Sequence, residues 1–232
     1  TSKLYYISIY KYIHIQLKDN IMKMNKNTKY YDGTVYEFNL PTGHSCPHAV
    51  DCKVSVDRIS GKMSNESIAY RCYASSAERF PAVRNQRWTN FDYVKEGNKI
   101  IVPEGAEAIR IHSAGDFFSQ SYFDMWCEVA RENPNVEFWA YTKSLNFWVK
   151  RLDSIPSNLT LTASVGGRFD SMIADYNLKN VTVVNEYTED MISDIDIMDR
   201  EARKPNKNFY LLNNKLMKKF LSEHYDENMQ LK

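Results

Sequence analysis

Between residues 108 and 184 short apolar runs alternate with amphipathic stretches, and this alternation limits the possible folds more than any other feature. The apolar runs are 109–112, 136–141, 159–165 and 181–184, and helical spacing separates them at 121–131, 145–152 and 171–176. Strands that alternate with helices in this way favour βαβ units and a parallel sheet. We therefore predict an α/β fold whose repeated βα units form a partial or irregular (β/α) barrel with a parallel sheet. An open doubly wound sheet is the alternative.

Four loops follow predicted strands at their carboxyl ends, where parallel α/β folds carry their chemistry. The first is a cysteine-containing loop after the strand 35–40, and the others contain 113–116, 142–144 and 164–167. The carboxyl ends of parallel strands meet at one edge of a sheet. We therefore predict that Asp116, Thr142, Lys143 and Ser164 face the cysteine loop across one cavity.

Three of the four cysteines, Cys46, Cys52 and Cys72, lie in that first loop region, with five and nineteen residues between them. They can reach one centre only if the second interval folds back, and the turn-rich run 57–62 predicts such a reversal. We recognise no secretory signal, so a metal or cluster site is favoured over disulfide bonds. The alternative is three unlinked thiols that pack as small apolar side chains.

The identity of the metal is left open by the residues alone. Zinc could take the three thiolates with His44 or His48 in a tetrahedron. A [4Fe–4S] cluster could take them with a fourth ligand that is exchangeable or not a cysteine. Cys127 lies mid-helix, where packing explains it, although it could complete a four-cysteine site.

Composition and net charge exclude few classes of protein. A hydrophobic fraction of 43%, a charged fraction of 25% and a formal net charge of +1 are ordinary for a globular protein. The net charge does not indicate nucleic acid, and no apolar run approaches the ~20 residues that cross a bilayer. We expect a cytoplasmic protein with no membrane contact. Residues 1–24 read as an N-terminal extension and 25–232 as one domain, in which the acids Asp194, Asp196 and Asp199 read as solvated.

Four motifs arrive in an order that resembles the bacteriophage gene product 88 domain family, across roughly residues 35–212. They are Phe-Asn-Leu-Pro at 38–41 before Cys46, Arg-Cys-Tyr-Ala at 71–74, Arg-Ile-His-Ser-Ala-Gly-Asp-Phe at 110–117 and Phe-Trp-Ala-Tyr-Thr-Lys-Ser at 138–144. The resemblance implies a phage protein that acts in the cytoplasm of the infected host cell.

The same loops also resemble, at a distance, the radical S-adenosylmethionine (SAM) superfamily. That likeness implies a [4Fe–4S] cluster on Cys46, Cys52 and Cys72 whose fourth iron is chelated by SAM. It implies that Gly115 and Asp116 receive the SAM amino group. The cysteine gaps of five and nineteen residues depart from the three and two that are usual in the superfamily.

For other residues around the expected cofactor, the sequence allows more than one role. Thr142, Lys143 and Ser164 complete the predicted cofactor-binding set, and Lys143 or Arg168 could pair with a carboxylate or be solvated. Asp116 could instead cap the following helix. His112 could be a satisfied interior histidine.

Two functions from different classes follow. The first is a radical-SAM-like iron–sulfur enzyme with a small or unknown substrate and an electron donor from the host. The second is a noncatalytic phage protein in which an iron–sulfur cluster or zinc stabilises the fold.

Overall fold

The computed structural model describes residues 22–27 and 33–226. The strands are β1 (Asn25–Lys26), β2 (Val35–Phe38), β3 (Val54–Val56), β4 (Met63–Asn65), β5 (Ala108–Ile111), β6 (Glu137–Thr142), β7 (Leu159–Ser164), β8 (Asn180–Val184) and β9 (Phe209–Leu212). The α-helices are α1 (Pro81–Lys95), α2 (Gln120–Glu132), α3 (Leu145–Trp148), α4 (Ser171–Asp175) and α5 (Asn214–His224). Shorter 3-10 turns span Tyr73–Arg79, Val149–Ser154 and Glu189–Asp194. Within the described ranges no helix is long and apolar enough to cross a membrane.

Seven strands form one sheet in the order β1-β2-β5-β6-β7-β8-β9, and β3 and β4 form a separate hairpin. Six of the seven run parallel, and only β1 pairs antiparallel, with β2. Within this sheet, the strands are therefore arranged in the same order as they occur along the chain, and each parallel strand pairs with the sheet strand that precedes it. The predicted α/β class and parallel sheet are confirmed, whereas the described strands form an open sheet and not a closed barrel.

The two faces of the sheet have different partners because side chains alternate along each strand. Phe38, Ile109, Ile111, Phe138 and Leu161 point to the face that helices α1 to α4 cover, and there they form the main core. This core explains the helix periodicity, since each helix buries one apolar side.

The opposite face carries a smaller apolar cluster around Trp139, Val181 and Phe209. Between these apolar groups it also carries the charged residues Glu37 and Arg110, which are neighbours in the β2–β5 register. This face forms one wall of the cavity described below.

The amino-terminal boundary is only partly described. Residues 1–21 of the predicted extension lie outside the described residues. Met22 is buried in the main core, and the Lys23 amide donates to Asn90 Oδ1 of α1 over 2.8 Å. These two residues are therefore packed on the domain.

The prediction that the acidic run is solvated is wrong for two of its members. Asp196 is 2% exposed and Asp199 is 8% exposed. The Asp196 carboxylate accepts hydrogen bonds from the amides of Met198, Arg200, Glu201 and Ala202, which explains its burial. Backbone donors can thus replace water around a carboxylate.

Candidate metal and cofactor site

The cysteine loop leaves β2 and returns through the β3–β4 hairpin, as the turn-rich run predicted. Asp57 Oδ1 accepts from the Ile59 amide, the Ser60 amide and the Ser60 hydroxyl, and Gly61 adopts φ +70°. The hairpin brings the segment before Cys72 back toward Cys52, because the amides of Ala69 and Tyr70 both donate to the Asp51 carbonyl.

One arginine of α1 holds this hairpin. Arg84 is 5% exposed. Its guanidinium donates to the carbonyls of Arg58, Ile59 and Glu78 over 2.9, 3.1 and 2.6 Å. The turn and the start of α1 are therefore fixed to each other without any metal.

A buried ion pair joins the two segments of the loop that carry Cys46 and Cys72, which we call the Cys46 arm and the Cys72 arm. Glu78 Oε1 accepts from the amide and the hydroxyl of Thr42 over 2.7 and 2.5 Å, and from Arg87 Nη1 over 2.7 Å. Arg87 also donates to the Ala74 carbonyl. Thr42 precedes Cys46 and Ala74 follows Cys72, so the pair fixes both arms to α1.

All eight residues predicted for the site line one cavity of about 590 Å³. They are Cys46, Cys52, Cys72, Gly115, Asp116, Thr142, Lys143 and Ser164. The prediction that the strand-end loops converge on the cysteine loop is confirmed. The ligand and cofactor roles of these residues stay predictions.

The three thiols lie close enough to influence one another electrostatically. Burial raises the pKa of Cys46 well above its ordinary value, and negative charge on Asp116, Cys72 and Cys52 raises it further. Burial raises the pKa of Cys52 to about 11, although the Lys143 ammonium opposes this shift. Burial also raises the pKa of Cys72, against hydrogen bonds from the amides that follow it and against Arg87. Burial therefore favours the protonated form of all three thiols.

Asp116 lines the same cavity as the thiols, and its negative charge raises the pKa of Cys46. Its Oδ1 accepts from the Phe117 amide and the Thr142 hydroxyl over 2.7 and 2.6 Å, and its Oδ2 accepts from the Lys143 amide over 2.8 Å. Burial raises the pKa of Asp116 to about 6, and these three hydrogen bonds limit the rise. The predicted cap of the following helix is instead supplied by Ser119, whose hydroxyl accepts from the Tyr122 amide.

Gly115 permits close packing against the cysteine loop. It adopts φ +95°, and a Cβ placed there would lie 2.7 Å from Leu40 Cβ and 2.7 Å from Ser45 Oγ. Glycine is the only residue that accepts both the conformation and the approach. The Gly-Asp pair thus positions the loop after β5 directly on the loop that carries Cys46.

Lys143 is buried and not solvated, at 6% exposure. Its ammonium donates to the Ser164 carbonyl and hydroxyl over 3.0 and 2.9 Å and to the Val165 carbonyl. These three acceptors match the three hydrogens of an ammonium group. Lys143 therefore connects the loops after β6 and β7 beside Cys52, whereas Arg168 is exposed.

A single zinc ion and a cluster require different spacings of their thiolates. Zinc with Zn–S bonds of about 2.3 Å holds its thiolates only about 3.8 Å apart in a tetrahedron. Within residues 22–27 and 33–226 no three His, Cys, Asp or Glu side chains are grouped closely enough to hold one ion. Thiolates of a [4Fe–4S] cluster bind different irons and so lie farther apart. Cys46, Cys52 and Cys72 line one cavity, and which of the two groups they bind stays a prediction.

Neither predicted histidine joins the thiols in such a group. His44 Nε2 lies 3.1 Å from the Val56 carbonyl, and the His48 ring packs between Phe147 and Phe169. His112 is 4% exposed, and its Nε2 lies 2.8 Å from the Tyr122 hydroxyl, consistent with the interior reading.

The fourth cysteine, Cys127, lies elsewhere. It is 3% exposed within the main core on the helix-covered face of the sheet. It is not among the residues that line the cavity. Packing accounts for it.

Sequence reasoning missed the residues that fix the site. Glu78, Arg84 and Arg87 occur in a stretch whose charges look like an ordinary solvated helix. Their one signal is the pairing of a glutamate with arginines six and nine positions later, which spans the start of α1. The cavity also extends to Glu37 and Arg110, which the strand pattern did not mark as functional.

Comparisons with known proteins place the chain among phage proteins. A sequence model of the family described as Gene product 88 matches residues 16–218. The Gene 88 proteins of Mycobacterium phages L5 and D29 are each 44% identical over 52 residues, which is 22% of this chain. The matched segment spans only 20% of each relative. No solved structure matches significantly. The radical SAM likeness receives no support from these comparisons.

Proposed function

We propose that this chain, which belongs to the gene product 88 family, holds a [4Fe–4S] cluster on Cys46, Cys52 and Cys72 and acts as a radical-SAM-like enzyme. The observation that carries the proposal is the meeting of three mutually close thiols at an open cavity lined also by Asp116. Three thiolates leave one iron of such a cluster without a protein ligand. That iron is where SAM would chelate.

The strand order supports the proposal at the level of architecture. Parallel strands that follow one another in sequence order, with helices on one face, are the arrangement of a barrel that has been opened. The opposite face, which carries Glu37 and Arg110, would then form the wall of a chamber in a partial barrel. The cavity lies against this face.

Asp116 retains the capacity to receive an ammonium group. A carboxylate offers about four acceptor positions, and three protein donors occupy Asp116. Only one of these donors uses Oδ2, so one position on that oxygen remains. A SAM ammonium would complete the set.

The chain's residues would hold the cofactor, and the chemistry would come from the cluster. When reduced, such a cluster supplies the electron that cleaves SAM. Gly115 and Lys143 would act indirectly, because Gly115 packs the Asp116 loop on the cysteine loop and Lys143 holds the β7 loop. Lys143 also favours the thiolate form of Cys52.

The second candidate is a noncatalytic phage protein with a structural cluster or zinc. All three hydrogens of the Lys143 ammonium are already donated to protein oxygens. This favours the noncatalytic role, because an enzyme would be expected to offer that ammonium to its cofactor. Against it, Arg84 and the Glu78–Arg87 pair already fix the arms of the cysteine loop.

The test begins with anaerobic purification and analysis of iron, sulfide and zinc. We expect about four irons per chain in the wild type and in Cys127→Ala, and loss of iron in Cys46→Ala, Cys52→Ala and Cys72→Ala. Zinc without iron, or full iron content in Cys72→Ala, would overturn the cluster. The reduced protein should then convert SAM to methionine and 5′-deoxyadenosine. An intact cluster without this conversion would favour the structural role.

A further inference from the structure

The β3–β4 hairpin and the start of α1 share an exposed surface that the cavity chemistry does not use. It is formed by Ile59 and Lys62 at the hairpin tip and by Arg79 and Phe80 before α1, and we call it the hairpin face. We propose that the hairpin face docks an acidic electron-carrier protein. The inference rests on the proposed function, because a cluster that cleaves SAM must first take one electron from a carrier, which is thereby oxidised.

The two parts of the hairpin face are fixed to each other by Arg84. Its guanidinium donates to the carbonyls of Ile59 and Glu78 over 3.1 and 2.6 Å. Its amide donates to the Phe80 carbonyl over 3.1 Å. A Cβ placed on Gly61 would lie 2.5 Å from Arg84 Nη1, so the hairpin tip packs directly on this side chain. The surface is therefore preorganised, which lowers the cost of binding a partner.

The centre of the hairpin face is apolar. Ile59 is 88% exposed and Phe80 is 52% exposed. The Arg79 guanidinium lies 4.7 Å from the centroid of the Phe80 ring, so a cation borders the apolar centre. Apolar and aromatic groups at the centre, with arginine among the enriched residues and a polar rim, are the anatomy of a protein–protein interface. A nucleic acid would instead require a row of cations that contact phosphates.

The charge of this part of the chain favours an acidic partner. Residues 53–95 contain eight lysines and arginines against four aspartates and glutamates, although the whole chain has a formal net charge of only +1. Three of the four acids already pair within the stretch, as Lys53–Glu66, Arg58–Asp92 and Arg87–Glu78, and the fourth, Asp57, accepts hydrogen bonds in the hairpin turn. Lys62 and Arg79 are exposed and belong to no ion pair among the described residues. They complement carboxylates on a partner, which steers encounter and fixes orientation.

The hairpin face is connected to the predicted cluster ligands by a short segment. The 3-10 turn Tyr73–Arg79 begins directly after Cys72, and its seven residues span roughly 14 Å at about 2.0 Å per residue. The Ser75 hydroxyl donates to the Cys72 carbonyl over 2.7 Å, which fixes the beginning of the turn beside the thiol. None of the four residues of the hairpin face lines the cavity, so a docked carrier leaves the cavity open to small molecules.

Calorimetric titration of the full chain with an acidic [2Fe–2S] ferredoxin, in its oxidised form, tests the docking without any turnover. We expect the affinity to fall steeply as the salt concentration rises, because exposed charges are screened. The double variant Lys62→Glu, Arg79→Glu should bind at least tenfold more weakly. Ile59→Ser should also bind at least threefold more weakly, and the 88% exposure of this side chain makes the change harmless to the fold.

Two variants serve as matched controls. The double variant Lys150→Glu, Lys218→Glu makes the same change in net charge at two exposed positions outside the hairpin face. Ile101→Ser makes the same apolar-to-polar change at a side chain that is 65% exposed beyond the carboxyl end of α1. Both controls should keep the wild-type affinity within twofold.

Absence of binding, affinity that does not change with salt, or equal losses in the controls would overturn the inference. So would a single-stranded oligonucleotide that binds more tightly than the ferredoxin at the same salt and is weakened by the same variants. Iron analysis of the same samples separates the two ideas. Docking by a chain that holds no cluster would refute the proposed function alone. A cluster that dithionite reduces, in a chain that does not bind the ferredoxin, would refute this inference alone.

Discussion

Arg87 Nη1 lies 2.7 Å from Glu78 Oε1, and the two side chains are 9% and 0% exposed. The same glutamate oxygen accepts both the amide and the hydroxyl of Thr42. The pair therefore connects α1 to the Cys46 arm, while the Arg87 contact with Ala74 connects it to the Cys72 arm.

Breaking the pair should destabilise the protein and disperse the thiols. We expect Arg87→Met to lower the free energy of unfolding by about 3–5 kcal/mol, because Glu78 is left as a buried, unpaired charge. Urea denaturation measures the change. The matched control is Lys99→Met, since Lys99 and Glu132 lie at a similar 2.8 Å but are 69% and 50% exposed. That change should cost no more than ~1 kcal/mol, and equal losses in both variants would contradict the prediction.

Gly115→Ala should be far more destabilising than Gly105→Ala. Both glycines have positive φ, at +95° and +71°, so both changes carry backbone strain of about 1 kcal/mol. Only at Gly115 would the new Cβ also meet Leu40 and Ser45 at 2.7 Å, whereas nothing lies within 4 Å at Gly105. Overpacking adds about 1–3 kcal/mol. Thermal unfolding of the two variants isolates this steric contribution, and similar melting temperatures would count against it.

His112 should make the protein sensitive to acid. Burial lowers its pKa from 6.5 to about 3 in the folded state, so the unfolded chain takes up a proton below pH 6.5 that the folded chain refuses. Stability is therefore lost as the pH falls from about 6.5 toward 3, by up to about 1.4 kcal/mol per pH unit. His112→Asn tolerates the observed φ of 66° and removes this dependence. Parallel stability curves for wild type and variant between pH 6.5 and 4 would refute the assignment.

Asp116→Asn should weaken SAM binding without loss of iron. Removing the charge from the position that we assign to the SAM ammonium should cost roughly 1.5–3 kcal/mol of binding free energy, the usual value of a charge-assisted hydrogen bond. Anaerobic titration of the reduced variant, followed by electron paramagnetic resonance, reports the ligands of the iron. Wild-type affinity in this variant would remove Asp116 from the cofactor site.

The strands and the convergence of their loops followed from sequence because both depend on local pattern. The runs that became β5 to β8 alternate or cluster apolar residues over a few positions, and Asp57 and Gly61 form the predicted turn within six residues. Parallel pairing then left the strand-end loops only one edge of the sheet to share.

Features that depend on distant partners could not be predicted. Arg110 alternates with Ile109 and Ile111 and looks like a solvated strand position, yet it pairs with Asp199 from the far end of the sheet. Asp196 appeared solvated because its donors are backbone amides, which no side-chain pattern reveals. The openness of the sheet is likewise set by the register between strands, and apolar periodicity carries no information about it.

The order of strands in the sheet has a consequence for biosynthesis. Cys46, Cys52 and Cys72 all leave the ribosome before β5, so the cysteine loop is made before the loops that carry Asp116, Lys143 and Ser164. During translation the thiols are thus accessible from a side that the finished chain encloses. Delivery of the cluster that we propose would therefore meet less steric obstruction on the nascent chain than on the completed protein.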